Sequence, residues 1–264
     1  MSMTVSVRLE YVNARKYDFQ RRHDMRACKK MPSYINVELS KNNEVIEKIS
    51  LSGKELAELN NAQRMKAIEE GKSPVKQARK ITPDMAVAFR QIITFGTDAQ
   101  EHIRKLDNET QKKLYLAIAE RIASEIGSKV LYLAIHRDEQ APHAHAMMNK
   151  YRQDGSAIRL NRQDLKHLQD IAGDVCKEFG LPITRGVPKE ARVADGEPAY
   201  KYLHHSVRDL HYRLPKDIGD KEKKVEELNQ NITSCRNRLD EIRKEIEELE
   251  KVRQKRLQDI SDKQ

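Results

Sequence analysis

Three of the nine histidines in this 264-residue chain, His136, His143 and His145, fall within one stretch, His136-Arg137-Asp138-Glu139-Gln140-Ala141-Pro142-His143-Ala144-His145. Neutral imidazoles are strong ligands for divalent ions of the first transition row. In a strand, residues two apart share a face, so His143 and His145 point the same way. A turn through Pro142 returns the chain beside His136, and three imidazoles then converge from two adjacent strands. Three neutral ligands leave open positions and the full charge of a divalent metal ion. Such an ion polarises phosphoryl oxygens and stabilises charge that develops on them. Glu139 sits in the turn, three residues after His136. It is placed to orient a ligand, accept a proton or fix a nucleophile. Asp138 is expected to be a turn residue facing solvent.

The flanking elements must supply those two strands. Val130 to Ile135 is a short apolar run that reads as a buried strand entering His136, and 143–151 reads as its antiparallel return. Asp154-Gly155 signals a hairpin, with 157–160 coming back. Alternation of Val5, Val7, Leu9 and Tyr11 with Ser6, Arg8 and Glu10 marks an opening strand. Residues 12–33 read as a polar, strongly basic stretch. Further strands are expected at about 34–39, continuing over 44–51 across a turn at Asn42-Asn43, and near 86–95. Helices are expected over 53–70, over 109–126 with Leu114, Ile118, Ile122 and Ile126 stacked, and over 162–179 behind an Asn161 cap. The region of Gly180, Pro182, Gly186 and Pro188 reads as irregular, with a short helix over 198–213. The fold class is mixed α/β.

Pro215 and Gly219 mark a boundary between a domain of 1–215 and a tail of 216–264. In the tail Val225, Leu228, Ile232, Cys235, Leu239, Ile242, Ile246 and Leu249 alternate at spacings of three and four. That is a heptad seam, with Val, Ile or Leu at a and mostly Leu or Ile at d, which favours a parallel homodimer through 221–250.

Composition limits the partners. Fifty Lys and Arg against 41 Asp and Glu give a net charge of +9, and the mean hydropathy is −0.82. The excess favours a polyanion such as nucleic acid. No stretch suits a membrane span or signal peptide, and Cys28, Cys176 and Cys235 are too dispersed for a disulfide framework. The expected location is the cytoplasm.

The histidine segment resembles the HxDExxPHxH motif of the MobV (Pre/Mob) plasmid mobilization relaxases, of the HUH endonuclease superfamily, with Ala144 at the hydrophobic position between the paired histidines. Arg22-His23-Asp24-Met25-Arg26 resembles the family's N-terminal motif, with Asp24 where Asn is usual. Ile35-Asn36 and Asn42-Asn43 are similar to the Asn-containing stretch that follows, although Val37-Glu38-Leu39-Ser40-Lys41 replaces a Ser-Arg-rich one. Ala86-Val87 with Ile92-Ile93-Thr94, then Leu165 to Gln169 and Arg185-Gly186, extend the likeness over about residues 3–195. The resemblance implies a central antiparallel sheet flanked by helices, with a C-terminal coiled coil. It implies a relaxase that nicks one strand at a transfer origin, stays joined to the 5′ phosphate and later rejoins the ends. The implied cofactor is Mn²⁺ or Mg²⁺ on the three histidines, the implied nucleophile His23, and the implied partners the single-stranded nick site or hairpin and transfer machinery.

A neutral imidazole attacks a phosphodiester to give a phosphoramidate, so His23 is chemically competent. Tyr17 and Tyr34 are the competing nucleophiles. Arg22, Arg26, Lys76, Arg79, Lys150, Arg152 and Arg185 are candidate phosphate contacts. Two other readings stand beside the relaxase: a replication initiator or transposon-encoded nickase with the same chemistry, and a non-catalytic coiled-coil DNA-binding repressor.

Overall fold

The computed structural model of the chain describes residues 3–74, 76–77, 80–198 and 214–261. It divides into two compact units, Met1–Asp195 and Gly196–Gln264.

In the first unit six strands form one sheet: β1 (Thr4–Asn13), β2 (Glu44–Glu47), β3 (Ala86–Phe95), β4 (Val130–His136), β5 (His143–Asn149) and β6 (Thr184–Arg185), in the order β2-β4-β5-β3-β1-β6. Every pairing is antiparallel except β1 with β6. The helices are α1 (Ala14–Asp24), α2 (Gly53–Glu69), α3 (Thr97–Lys105), α4 (Asn108–Glu125), α5 (Arg162–Glu178) and α6 (Lys189–Ala194).

Each sheet face buries its own core. On one side Val5, Val7, Phe89, Ile93, Leu133 and Ile135 pack with Leu114, Ile118 and Ile122 of α4 and Leu168, Ala172 and Val175 of α5. On the other, Val12, Tyr132 and Met147 pack with Tyr17 of α1 and Leu56 of α2. Burying each large side chain contributes roughly 1.5–3 kcal/mol. Coverage on both faces explains why all seven residues of β4 are buried and why its sequence is an unbroken apolar run. The two helices of the second layer meet closely. A Cβ on Gly53 would lie 2.2 Å from the Ala14 carbonyl oxygen, so only glycine lets α2 start against α1. There the Gly53 amide donates to Asp18 Oδ1.

Several expectations need correction. The basic stretch over 12–33, for which the sequence pattern indicates no element, opens with α1, capped by Asn13, whose Oδ1 accepts from the Lys16 amide. The strand expected at 34–39 is instead a 3₁₀ turn, Val37–Asn42, capped by Asn36. Residues 44–51 give only the four-residue β2. Beyond the Asp154-Gly155 turn the returning segment makes one bridge, Tyr151 to Ala157, rather than a strand. The region read as irregular, 180–188, holds only the two-residue β6, and α6 follows it. The helix expected over 198–213 falls on residues outside the described ones.

In the second unit α7 (Leu214–Ser261) runs straight through Pro215 and Gly219. A first-turn proline lacks only an amide proton that has no intrahelical partner, so it does not stop the helix. Among the described residues no helix is long and apolar enough to cross a membrane.

Candidate metal centre

β4 and β5 pair in the register His136↔His143 and Ala134↔His145. The three rings accordingly stand in a near-equilateral triangle, with centroids 5.0 Å apart for His136–His143, 5.0 Å for His136–His145 and 4.9 Å for His143–His145. The fourth imidazole comes from α1, whose last turn places the His23 ring 5.6 Å from that of His136 and 6.1 Å from that of His145.

The hydrogen bonds around the rings decide which nitrogens remain available. His143 Nδ1 donates to the Ala141 carbonyl at 2.9 Å, and His145 Nδ1 pairs with Asp24 Oδ1 at 2.6 Å, with Gln20 Nε2 2.9 Å away. Each pairing leaves Nε2 as the free lone pair, the arrangement that second-sphere partners give to metal-ligating histidines. His136 is fully buried, and its nitrogens make no close hydrogen bond; Glu139 Oε1 stands 3.6 Å from Nδ1 and Asp24 Oδ1 3.8 Å from Nε2. A buried polar atom left so costs about 1–3 kcal/mol, a cost that coordination removes. Ligand atoms of His23, Asp24, His136 and His145 lie within 4.8 Å of one another, as do those of His136, Glu139 and His143. Either donor set fits a divalent ion, and His136 belongs to both groups.

Electrostatics keep these candidate ligands in the state that coordination requires. Burial lowers the pKa of His136 and His23 and drives that of His145 well below the usual value, so these imidazoles are neutral near pH 7. Burial raises that of Asp24, which also accepts from Gln20 Nε2 at 2.6 Å and from the Tyr132 hydroxyl at 3.0 Å.

Asp138 is not the solvent-facing turn residue expected. Only 1% of it is exposed, and it anchors the turn. Its Oδ2 accepts from Arg26 Nε (2.8 Å), Ser40 Oγ (2.6 Å) and Asn43 Nδ2 (2.7 Å), while Oδ1 pairs with Arg26 Nη2. Its carbonyl accepts from the Asn36 amide, and Asn43 Oδ1 accepts from the Arg137 amide. Against the upward push of burial, the Arg26, Ser40 and Asn43 hydrogen bonds hold its carboxyl at about 2. Glu139 is held at about 2 as well, because the His136 and His143 imidazoles and Arg26 outweigh its burial. Arg26 Nη2 reaches Glu139 Oε1 at 2.9 Å, and Nη1 lies 3.3 Å from His23 Nε2.

The structure thus brings His23, Glu139, Arg26 and the three histidines into one cluster, and it enlists Arg26 as an ion-pair partner rather than a free phosphate contact. The other candidates lie elsewhere. Lys150, at the far end of β5, donates to the Ile158 carbonyl and sits 4.5 Å from the Tyr11 ring centroid. Arg185 pairs with Asp170, Arg152 is half-buried next to Gly127, and Lys76 and Arg22 are exposed. Arg79 lies outside the described residues. Tyr17 is fully buried, and burial pushes its hydroxyl up to about 12, which suits packing against Tyr132 rather than attack. Tyr34 is half-buried ahead of the 3₁₀ turn.

Sequence reasoning missed Gln20, Asp24 and Tyr132. The available signal was the spacing Tyr17, Gln20, Asp24, one inward helix face at i, i+3, i+7.

The plasmid recombination enzyme (Mob_Pre) family model matches residues 1–202. A plasmid recombination enzyme from Lactiplantibacillus plantarum is 28% identical over 147 residues, 54% of this chain and 39% of that protein. A plasmid recombination enzyme type 1 from Staphylococcus aureus is 25% identical over 165 residues, 60% of this chain and 40% of that protein. The chain therefore spans about two-fifths of the length of these curated relatives. The MobM relaxase domain, in a Mn-bound crystal structure with plasmid oriT DNA, shares the fold with a TM-score of 0.60 at 20% identity, over 80% of this chain and 98% of that one. A family model that takes in the opening strand, the His23 helix and the whole histidine segment leaves one conclusion: the chain belongs to the plasmid recombination enzyme (Mob_Pre) family.

Proposed function

We propose that this protein is a relaxase: a metal-dependent, strand-specific nicking and joining enzyme acting on single-stranded DNA at a plasmid or mobile-element transfer origin. The carrying observation is that His23, on a helix, stands 5.6 Å from His136, ring to ring, beside the three-histidine triangle. Mn-bound, oriT-bound relaxase domains of the same fold support the reading, as do the relatives named plasmid recombination enzymes.

His136, His143 and His145 would hold the divalent ion, Mn²⁺ or Mg²⁺. When bound, it supplies positive charge to the phosphoryl oxygens and to the leaving oxygen. The remaining chemistry falls to the chain. Arg26 is only a donor, so its approach to Nε2 at 3.3 Å sets the ring proton on Nδ1, and the Nε2 lone pair becomes the attacking one when the guanidinium turns from it to the phosphate. Burial keeps that ring neutral and nucleophilic. His23 nitrogen forms a bond to phosphorus as the bond from phosphorus to the 3′ oxygen breaks, and that oxygen takes a proton from solvent. The imidazole becomes cationic as it attacks, and the Asp24 and Glu139 carboxylates face the developing charge. Glu139, ionised well below neutrality, serves as a fixed anion that pins Arg26. The reverse reaction rejoins the strand.

The domain of 1–215 would carry this chemistry, and the seam of α7 over 221–250 would pair two copies. Val225, Leu228, Ile232 and Leu239 are each about half exposed and want a partner. Coupling to transfer machinery follows from the same role, and the cytoplasm is where such DNA is met; all three cysteines are free.

The test is nicking of supercoiled plasmid carrying the upstream intergenic region. Strand-specific, chelator-sensitive relaxation is expected, with an acid-labile protein adduct on the 5′ end that His23→Ala abolishes. An acid-stable adduct, or full adduct formation by H23A, refutes the assignment. Specific binding without any nicking favours the repressor.

A further inference from the structure

The face of α1 opposite the core has a composition that neither packing nor the nicking chemistry requires. Tyr17, Gln20 and Asp24 point inward and are buried. Arg15, Phe19 and Arg22 follow one another at i, i+4 and i+7, a single stripe turned to solvent. Phe19 is 63% exposed, more than any other aromatic residue among the described exposed hydrophobics. It precedes His23 by four residues, so the two side chains are neighbours along the helix, about 6 Å apart in rise.

Charge on this helix is divided in the same way. Arg21 is paired with Glu47, and Arg26 with Asp138 and Glu139. Arg15 and Arg22 are exposed and enter no ion pair among the described residues. An exposed aromatic ring between two uncompensated guanidinium groups is the arrangement that binds an unpaired strand. The ring stacks on a base, and the cations take the phosphates on either side.

We propose that the outward stripe Arg15–Phe19–Arg22 of α1 is a platform for single-stranded DNA, on which Phe19 stacks the base adjoining the phosphate held at the histidine cluster. The platform deepens the nicking reading and rests on it. It makes α1 a double-sided element, with its inward face ordering the ligands and its outward face ordering the strand that His23 attacks.

The test is fluorescence anisotropy on the full chain with Mn²⁺, using two probes of equal length and charge: a short oligothymidylate and the same backbone with every base removed. The wild type should bind the oligothymidylate more tightly. Phe19→Ala should lower that affinity roughly 5- to 100-fold while leaving the abasic probe unchanged, and Phe19→Trp should retain the preference. Arg22→Ala should weaken both probes alike and flatten the salt dependence. Thermal melting of F19A at the wild-type temperature confirms that the fold is intact. Wild-type affinity of F19A for oligothymidylate overturns the platform, and so does an equal loss on both probes. A wild-type chain that binds neither probe at low salt overturns the nicking reading along with it. That outcome is distinct, because a failure of the platform alone leaves wild-type binding in place.

Discussion

Replacing Asp138 by Asn should separate the turn's structural anchor from the histidine cluster. The Asp138 side chain is wholly enclosed and takes Arg26 Nε at 2.8 Å, Ser40 Oγ at 2.6 Å, Asn43 Nδ2 at 2.7 Å and a second Arg26 contact. Asparagine has the same shape, but one of its two terminal atoms is a donor, so it faces donors across part of that ring. The Arg26 side chain, 9% exposed, then keeps Glu139 as its only anion. Breaking a buried ion pair costs 3–5 kcal/mol, and the surviving Glu139 contact reduces that to about 2–4 kcal/mol. For a unit of this size each kcal/mol moves the melting temperature by ~2–4 °C, so D138N should melt about 5–15 °C lower. The assay is thermal unfolding in chelator, so that metal binding cannot mask the loss. It should be repeated down the pH scale. Asp138 and Glu139 are held at about 2, against ordinary values of 3.8 and 4.5. A depressed folded pKa contributes stability that is complete above about pH 4.5 and is lost as pH falls toward 2. D138N, with one such group fewer, should lose less over that window. Melting within about 1 °C of wild type at pH 7, or an unchanged acid slope, refutes the anchor.

Mn²⁺ at about a hundred times its dissociation constant should stabilise the wild type by ~2.7 kcal/mol in calorimetry, and His136→Ala should abolish the shift. A shift that survives in H136A places the ion elsewhere. Cys235 is free, exposed and at a d position, so mild oxidation should give a disulfide-linked dimer that Cys235→Ser prevents. A chain that stays monomeric on non-reducing gels excludes parallel, in-register pairing. Burial, then the charges of Arg159 and Arg152, push Lys150 down to about 8. Its ¹³C-methylated resonance should titrate there and vanish in Lys150→Arg; stability should rise with pH between about 8 and 10.5 as the penalty on the charged form is relieved. Titration above pH 10 contradicts this packing.

The histidine triangle was legible because strand periodicity is 2: two histidines two apart behind a proline turn can only share a face. β1, α4 and α5 were legible because their apolar periods are regular, and β4 because it is an unbroken apolar run. What escaped notice was polar. α1 turns Gln20 and Asp24 inward, so its buried face carries too little apolar signal to stand out in a basic stretch. Asp138 has the composition of a turn residue, and only its long-range partners Arg26, Ser40 and Asn43 reveal it as buried. Those partners are about 95 to 112 positions away, beyond any local pattern. The 3₁₀ turn at Val37–Asn42 has apolar residues like a strand, yet its Asn36 cap and the Asp138 network decide its shape.

Arg26 shows how these contacts override local preference. It ends α1 in the left-handed region, φ 53°, and is the only non-glycine residue with positive φ among those described. Its amide bonds to the His23 carbonyl and that of Ala27 to the Arg22 carbonyl, a C-cap that ordinarily takes glycine. An L side chain there costs roughly 1–2 kcal/mol. Glycine would remove the strain and with it the guanidinium, which touches His23, Asp138 and Glu139 at once. The ion pairs exceed the backbone cost, so the position is held by what the side chain joins. The helix that carries the proposed nucleophile is thereby tied to the turn between the two histidine-bearing strands, and neither can shift without the other.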